Sequence, residues 1–111
     1  MELSIIQTTQ ARVVATTAAR LDAAGVLAFK DRFRAAVADA EGRVILDLGS
    51  VNFLDSSGLG AIVAVRRLLP EGVVLELAAL TPPVERVFRL TRMDSVFTIH
   101  PVVPIGPATA H

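Results

Sequence analysis

The segment Val51-Asn52-Phe53-Leu54-Asp55-Ser56-Ser57-Gly58-Leu59-Gly60 gathers the groups best placed to do chemistry: a carboxyl, two adjacent hydroxyls and two glycines in a short span. It comes just after the nearly continuous apolar run Val44-Ile45-Leu46-Asp47-Leu48, which reads as a strand buried on both faces. A helical pattern succeeds it. The polar residues therefore fall at a helix N-terminus, where unpaired backbone N–H groups and the macrodipole favour an anion. A phosphate could be held there. The plainer reading of the same spacing is that Asp55, Ser56 or Ser57 only caps the helix, and capping and phosphate binding are compatible. Gly58 to Val65 contains no polar side chain, whereas a helix with one face in water normally shows a polar stripe. Either these small residues need no cover, or a partner docks there, with Gly58 and Gly60 admitting a foreign backbone.

Other chemistries fit less well. Gly58-Leu59-Gly60 could open a dinucleotide fingerprint, but Val63 stands where the third glycine belongs. A Ser-His-Asp hydrolase needs a histidine near its serine. The only histidines are His100, at the end of the last expected strand, and His111, in the tail. An aspartyl-phosphate site at Asp47 would need an acidic pair at the end of the first strand to hold a metal, and Leu3 to Thr8 contains none. Arg66-Arg67 and Arg86 with Arg89 read as solvated helix faces. No catalytic residue, metal site or cofactor loop is expected, and the chain is not expected to be an enzyme.

The elements that must position the segment can be traced along the chain. Leu3 to Thr8 and Arg12 to Ala18, rich in β-branched residues, predict an N-terminal β-hairpin. Asp22 is a candidate N-cap for a first helix over 23–40, with apolar residues at Val26, Phe29, Phe33 and Val37 and Gly42 beyond its end. After the central strand, a second helix is expected from about Ser57 to Leu69, stopped by Pro70 and Gly72, then a strand over 73–78. Thr81 is a candidate cap for a third helix opened by Pro82 and Pro83 and ending near Thr91. A short strand is expected over 96–99, and Pro101, Pro104, Gly106 and Pro107 predict a mobile tail over 101–111. This order predicts a single α/β domain over 1–100: a mixed sheet with helices packed mainly on one face.

Bulk properties narrow the function. A chain of 111 residues, 52% apolar and 20% charged, suits one domain with one core. Eleven basic residues balance eleven acidic ones with no run of like charge, which argues against nucleic acid as a direct partner. Apolar stretches fall short of the roughly 20 residues a bilayer-spanning helix needs, and no signal pattern opens the chain, so no membrane insertion is expected. With no cysteine, a reducing compartment fits, and the expected location is cytoplasmic.

Leu46-Asp47-Leu48, Val51, Phe53 and Asp55-Ser56-Ser57-Gly58-Leu59-Gly60 together resemble the signature of STAS domains in bacterial anti-sigma factor antagonists. The resemblance extends to Leu21-Asp22, Pro82-Pro83-Val84, Leu90-Thr91 and Met93-Asp94, spanning about residues 3 to 100. It implies that Ser56, first serine of the motif, is phosphorylated by a partner that is both anti-sigma factor and serine kinase. Ser57 is then the capping neighbour. It also implies that Asp22, Asp55, Ser57, Gly58, Leu59 and Gly60 lie on the surface meeting that kinase, and that a metal-dependent serine phosphatase resets the switch. Ala19-Arg20 stands where family members often have Gly-Glu, and Arg92 where they have Gly, so the partner's charge pattern is expected to differ. The rival is a STAS scaffold subunit of a lipid-transport or sensory complex, in which Ser56 is only a cap.

Overall fold

The computed structural model of the protein describes residues 2–104. β1 (Leu3–Gln7) and β2 (Arg12–Thr16) form the hairpin, with Ile5 opposite Val14 and Ile6 opposite Val13. Both strands are shorter than composition suggests. The buried Thr8 hydroxyl accepts from the amides of Gln10 and Ala11, both at 3.1 Å, and donates to the Ala11 carbonyl at 3.0 Å, which closes the turn.

β2 pairs in parallel with β4 (Arg43–Asp47), β4 with β6 (Val74–Ala78), and β6 with β7 (Ile99–His100). The five-stranded order β1-β2-β4-β6-β7 is therefore mixed, with β1 antiparallel at one edge. A parallel connection needs a crossover, and helices supply it: α1 (Val26–Val37), α2 (Ser56–Val65) and α3 (Pro82–Leu90). All three pack on one face. Phe29 and Phe33 of α1, Ile62 and Val65 of α2, and Val84 and Phe88 of α3 share a core with Val14, Val44, Leu46, Leu75 and Leu77 of the strands. Alternation along the strands sends Val13, Ile45 and Ala78 to the other face, where with Ala11 they form a smaller cluster packed by Val103. The expected fold class, hairpin and one-sided helix layer are all present.

Several boundaries differ. α1 begins at Val26, not at residue 23, and its cap is Gly25 without a side-chain bond. Asp22 instead shapes the preceding turn: its Oδ1 accepts from Ala24 N at 3.2 Å, and its carbonyl accepts from Gly25 N at 2.9 Å. α2 stops at Val65 and continues as a 3-10 turn over Arg66–Leu68, because Leu69 precedes Pro70 and adopts the extended conformation that proline imposes on its neighbour, φ −74° and ψ 147°. Thr81 does precede α3, yet its hydroxyl donates to Val51 O at 2.6 Å and leaves the helix uncapped by a side chain. Of the strand expected over 96–99, only Ile99 enters the ladder, since Met93–Ser95 form a 3-10 turn. The mobile-tail expectation falls partly outside the described residues, which end at 104. Within them, Val103 is packed against the outer cluster.

Candidate functional site

Two short strands that sequence patterning did not indicate hold the site. β3 (Arg20–Leu21) and β5 (Phe53–Leu54) pair in parallel, Arg20 beside Phe53 and Leu21 beside Leu54. Two residues are too few for any periodicity to register. The ladder extends backward through Asn52 N and Phe53 N, which both donate to Ala19 O at 2.8 and 3.3 Å. Ser50 Oγ lies 2.6 Å from Thr16 O and 2.9 Å from Ala18 O. On the other side Thr81 grips Val51 O. The turn between β4 and α2 is thus tied to two neighbours before α2 begins.

Asp55 starts α2. Its backbone is extended, φ −98° and ψ −175°, and Oδ1 accepts from Gly58 N at 2.8 Å. This is the N-cap, and it corrects the expectation that Ser57 caps the helix. The reason is geometric: a cap must lie just outside the helical backbone, and Ser56 and Ser57 are already its first two residues. The second oxygen, Oδ2, accepts from Ala23 N at 3.3 Å, in the turn that leads to α1. One carboxylate joins both helix starts.

Ser56 and Ser57 are both exposed, and neither hydroxyl has a hydrogen-bond partner among the described residues. Their places on the helix surface differ. One turn beyond Ser56 lies exposed Gly60, whereas one turn beyond Ser57 lies buried Ala61. Ser56 therefore heads the outward line of the helix and Ser57 stands at its flank. Gly58 does not open the surface to a partner's backbone, as the sequence suggested. It is buried, and a Cβ there would lie 2.0 Å from Leu21 O and 2.8 Å from Leu54 Cδ1. Its missing side chain lets α2 sit on β3. Gly60 has open space where a Cβ would be, and Leu59 is half-buried against the core.

Phe53, three residues before Ser56, makes a contact with Arg20 that the sequence did not indicate. The Arg20 guanidinium is 4.0 Å from the centroid of the Phe53 ring, and its Nε pairs with Asp22 Oδ2 at 3.2 Å. Phe53 is 38% exposed and the Arg20 side chain 60% exposed, against 25% for Asp22. The ionic cluster around Glu76 stands apart. Arg43 Nη2 reaches Glu76 Oε1 at 2.7 Å, and His100 Nε2 lies 2.8 Å from the same oxygen, on the sheet face away from the helices. The hydrogen bond from Arg43 is the main cause holding the Glu76 carboxyl below its usual range. His100, at the end of the last strand, is thus a partner of Glu76. Among the described residues no group of histidine, aspartate and glutamate could hold a metal ion, and no helix is long and apolar enough to cross a membrane.

The model of the STAS domain family matches residues 3–104. Solved structures share the fold. An anti-sigma factor antagonist from Mycobacterium paratuberculosis is 25% identical, with 92% of this chain and 86% of that one covered and a TM-score of 0.80. An anti-sigma-factor antagonist (STAS) domain protein from Planctomyces limnophilus is 24% identical over 88% of each chain, with a TM-score of 0.77. The Bacillus cell fate determinant SpoIIAA, solved in its phosphorylated form, is 20% identical over 88% of this chain and 90% of that one, with a TM-score of 0.59.

Proposed function

The chain belongs to the STAS domain family, and on that premise we propose that it is an anti-sigma factor antagonist switched by phosphorylation of Ser56. In this reading the unmodified protein docks on an anti-sigma factor that is also a serine kinase, and so frees a sigma factor. Phosphorylation ends the docking, and a serine phosphatase restores it. The protein is a substrate and a binding module, not a catalyst, and it acts in the cytoplasm.

The observation that carries the reading is the Ser56 hydroxyl itself: exposed, without a partner among the described residues, and at the first residue of a helix whose cap is already supplied by Asp55. Two opposing effects act on a phosphate there. The amides and dipole of α2 favour it by about 0.3 to 1 kcal/mol at an exposed position. Burying its ~1.5 to 2 negative charges beside Asp55 in an interface opposes docking, by about 4 kcal/mol, or roughly a thousandfold in affinity. The second effect wins, so the switch acts through the interface and α2 need not unfold.

Incubation with the kinase and ATP, then fragment-ion mass spectrometry, tests the assignment. Phosphate is expected on Ser56; phosphate on Ser57 moves the switch by one residue, and none on either serine returns the scaffold reading. Affinity for the kinase with nucleotide present is the companion measurement. Ser56→Ala should bind as the unmodified protein does, and Ser56→Glu at least about tenfold more weakly. Equal binding by the two variants would remove the electrostatic mechanism.

A further inference from the structure

The surface expected to meet the partner contains two carboxylates, and the structure engages both within the chain. Asp55 uses one oxygen for Gly58 N and the other for Ala23 N. Asp22 uses one for Ala24 N and the other for Arg20 Nε. The charged group left facing outward is the Arg20 guanidinium. Its flat face rests on Phe53, its Nε is held by Asp22, and its two terminal amino groups have no partner among the described residues.

We infer that Arg20, held on Phe53, is a specificity-determining contact that takes a carboxylate side chain of the anti-sigma factor kinase. The inference rests on the function proposed above and adds the chemistry of the partner to it. β3 and β5 set Arg20 beside Phe53, three residues before Ser56, so the guanidinium belongs to the surface around the serine. A guanidinium fork donates two parallel hydrogen bonds to a carboxylate, and stacking on an aromatic ring leaves that edge free. The ring and Asp22 also restrict the side chain before binding, which lowers the ordering cost of a long arginine at an interface. A nucleic-acid phosphate fits less well, because one guanidinium on a chain of net charge zero does not make a tract that tracks a phosphate backbone.

The test uses the full chain and the anti-sigma factor kinase from the same genome that phosphorylates it, with affinity measured by calorimetry in the presence and absence of ADP. Arg20→Glu should weaken binding by about tenfold or more, because it turns an attraction into a repulsion at close range. Arg20→Lys keeps the charge but not the fork and should fall between, by about threefold. Phe53→Leu keeps an apolar side chain and removes the ring, and its loss should resemble that of Arg20→Lys. Thermal melts within a few degrees of wild type identify the variants as folded. Reversing one acidic residue of the kinase to Arg should restore binding to Arg20→Glu, a rescue that a purely structural role for Arg20 would not give. Arg20→Glu binding within twofold of wild type overturns the inference. So does a loss seen only when ADP is bound, which would assign Arg20 to a nucleotide phosphate. If the wild-type protein binds no such kinase, the functional reading falls and this inference with it; tight wild-type binding with unaffected Arg20→Glu overturns this inference alone.

Discussion

The first two helices begin in contrasting ways. α1 starts after Gly25 with no side-chain cap and no acidic residue in its first turn. Its position is fixed by its buried face, where Phe29 and Phe33 are fully buried with ring centroids 6.0 Å apart. α2 starts on Asp55, whose carboxylate both caps it and reaches across to Ala23. Burial can hold a helix whose only duty is packing, however its end is dressed. A helix that leaves a hydroxyl at its first turn unengaged needs that turn fixed by something other than the hydroxyl. In α2 the cap comes from the residue before, and both serine hydroxyls are without a partner among the described residues.

The largest way to break this arrangement is at Gly58. A methyl group would lie 2.0 Å from the Leu21 carbonyl, which belongs to backbone and cannot swing aside. Gly58→Ala must push α2 off β3, at a cost of about 3 kcal/mol, the upper part of the usual range for overpacking. Chemical denaturation should show that loss. A variant as stable as wild type would mean that β3 and α2 separate freely, and that the site is less tightly braced than its hydrogen bonds indicate.

Asp55 comes next, and its two roles can be separated. Asp55→Ala removes the cap and the bond to Ala23 and should cost about 1 to 2 kcal/mol. Asp55→Asn retains a good capping oxygen for Gly58 N but turns an NH2 group toward the Ala23 amide, so it should cost about half as much. Asp22→Ala loses only an exposed turn bond and a largely exposed ion pair, and should cost less than about 1 kcal/mol. An order reversed between Asp22 and Asp55 in thermal melts would place the brace on the α1 side.

The sequence was informative wherever a signal had length. The β-branched hairpin, the apolar run of the central strand, the apolar spacing of α1 and α3 and the Pro-Gly stop after α2 each show over several residues, and those elements are present. β3 and β5, two residues each, are set by hydrogen bonds to distant chain segments and have no local signature. The motif around Ser56 was legible as a group, but not the division of labour inside it. Spacing cannot tell which of three adjacent polar residues is the cap, because that depends on where the backbone turns helical. Gly58 likewise reads as permissive from sequence, and only the Leu21 carbonyl shows that it is required. Arg92, at the position where the resemblance led glycine to be expected, adopts φ 61° and ψ 18°, so a residue that ordinarily avoids the left-handed region occupies it. The Arg20–Phe53 stack joins residues far apart in the chain, and nothing local to either announces it.

The smallest expected effect is the most informative about the serines. If Ser57 were the cap, Ser57→Ala would cost about 1 kcal/mol, a typical loss for a capping hydroxyl. With Asp55 as the cap, the Ser57 hydroxyl has no partner to lose among the described residues. Alanine is also a better helix former than serine, by a few tenths of a kcal/mol. Ser57→Ala should therefore leave the melting temperature unchanged or slightly raised. Ser56→Ala should behave in the same way, since it occupies the same helical turn. Equal stability matters beyond the cap itself. It allows any difference between the two variants in phosphorylation or in kinase binding to be read as a difference in function, uncontaminated by unfolding. A loss of about 1 kcal/mol at Ser57 alone would restore it as a capping residue and make Asp55 a docking carboxylate held in reserve.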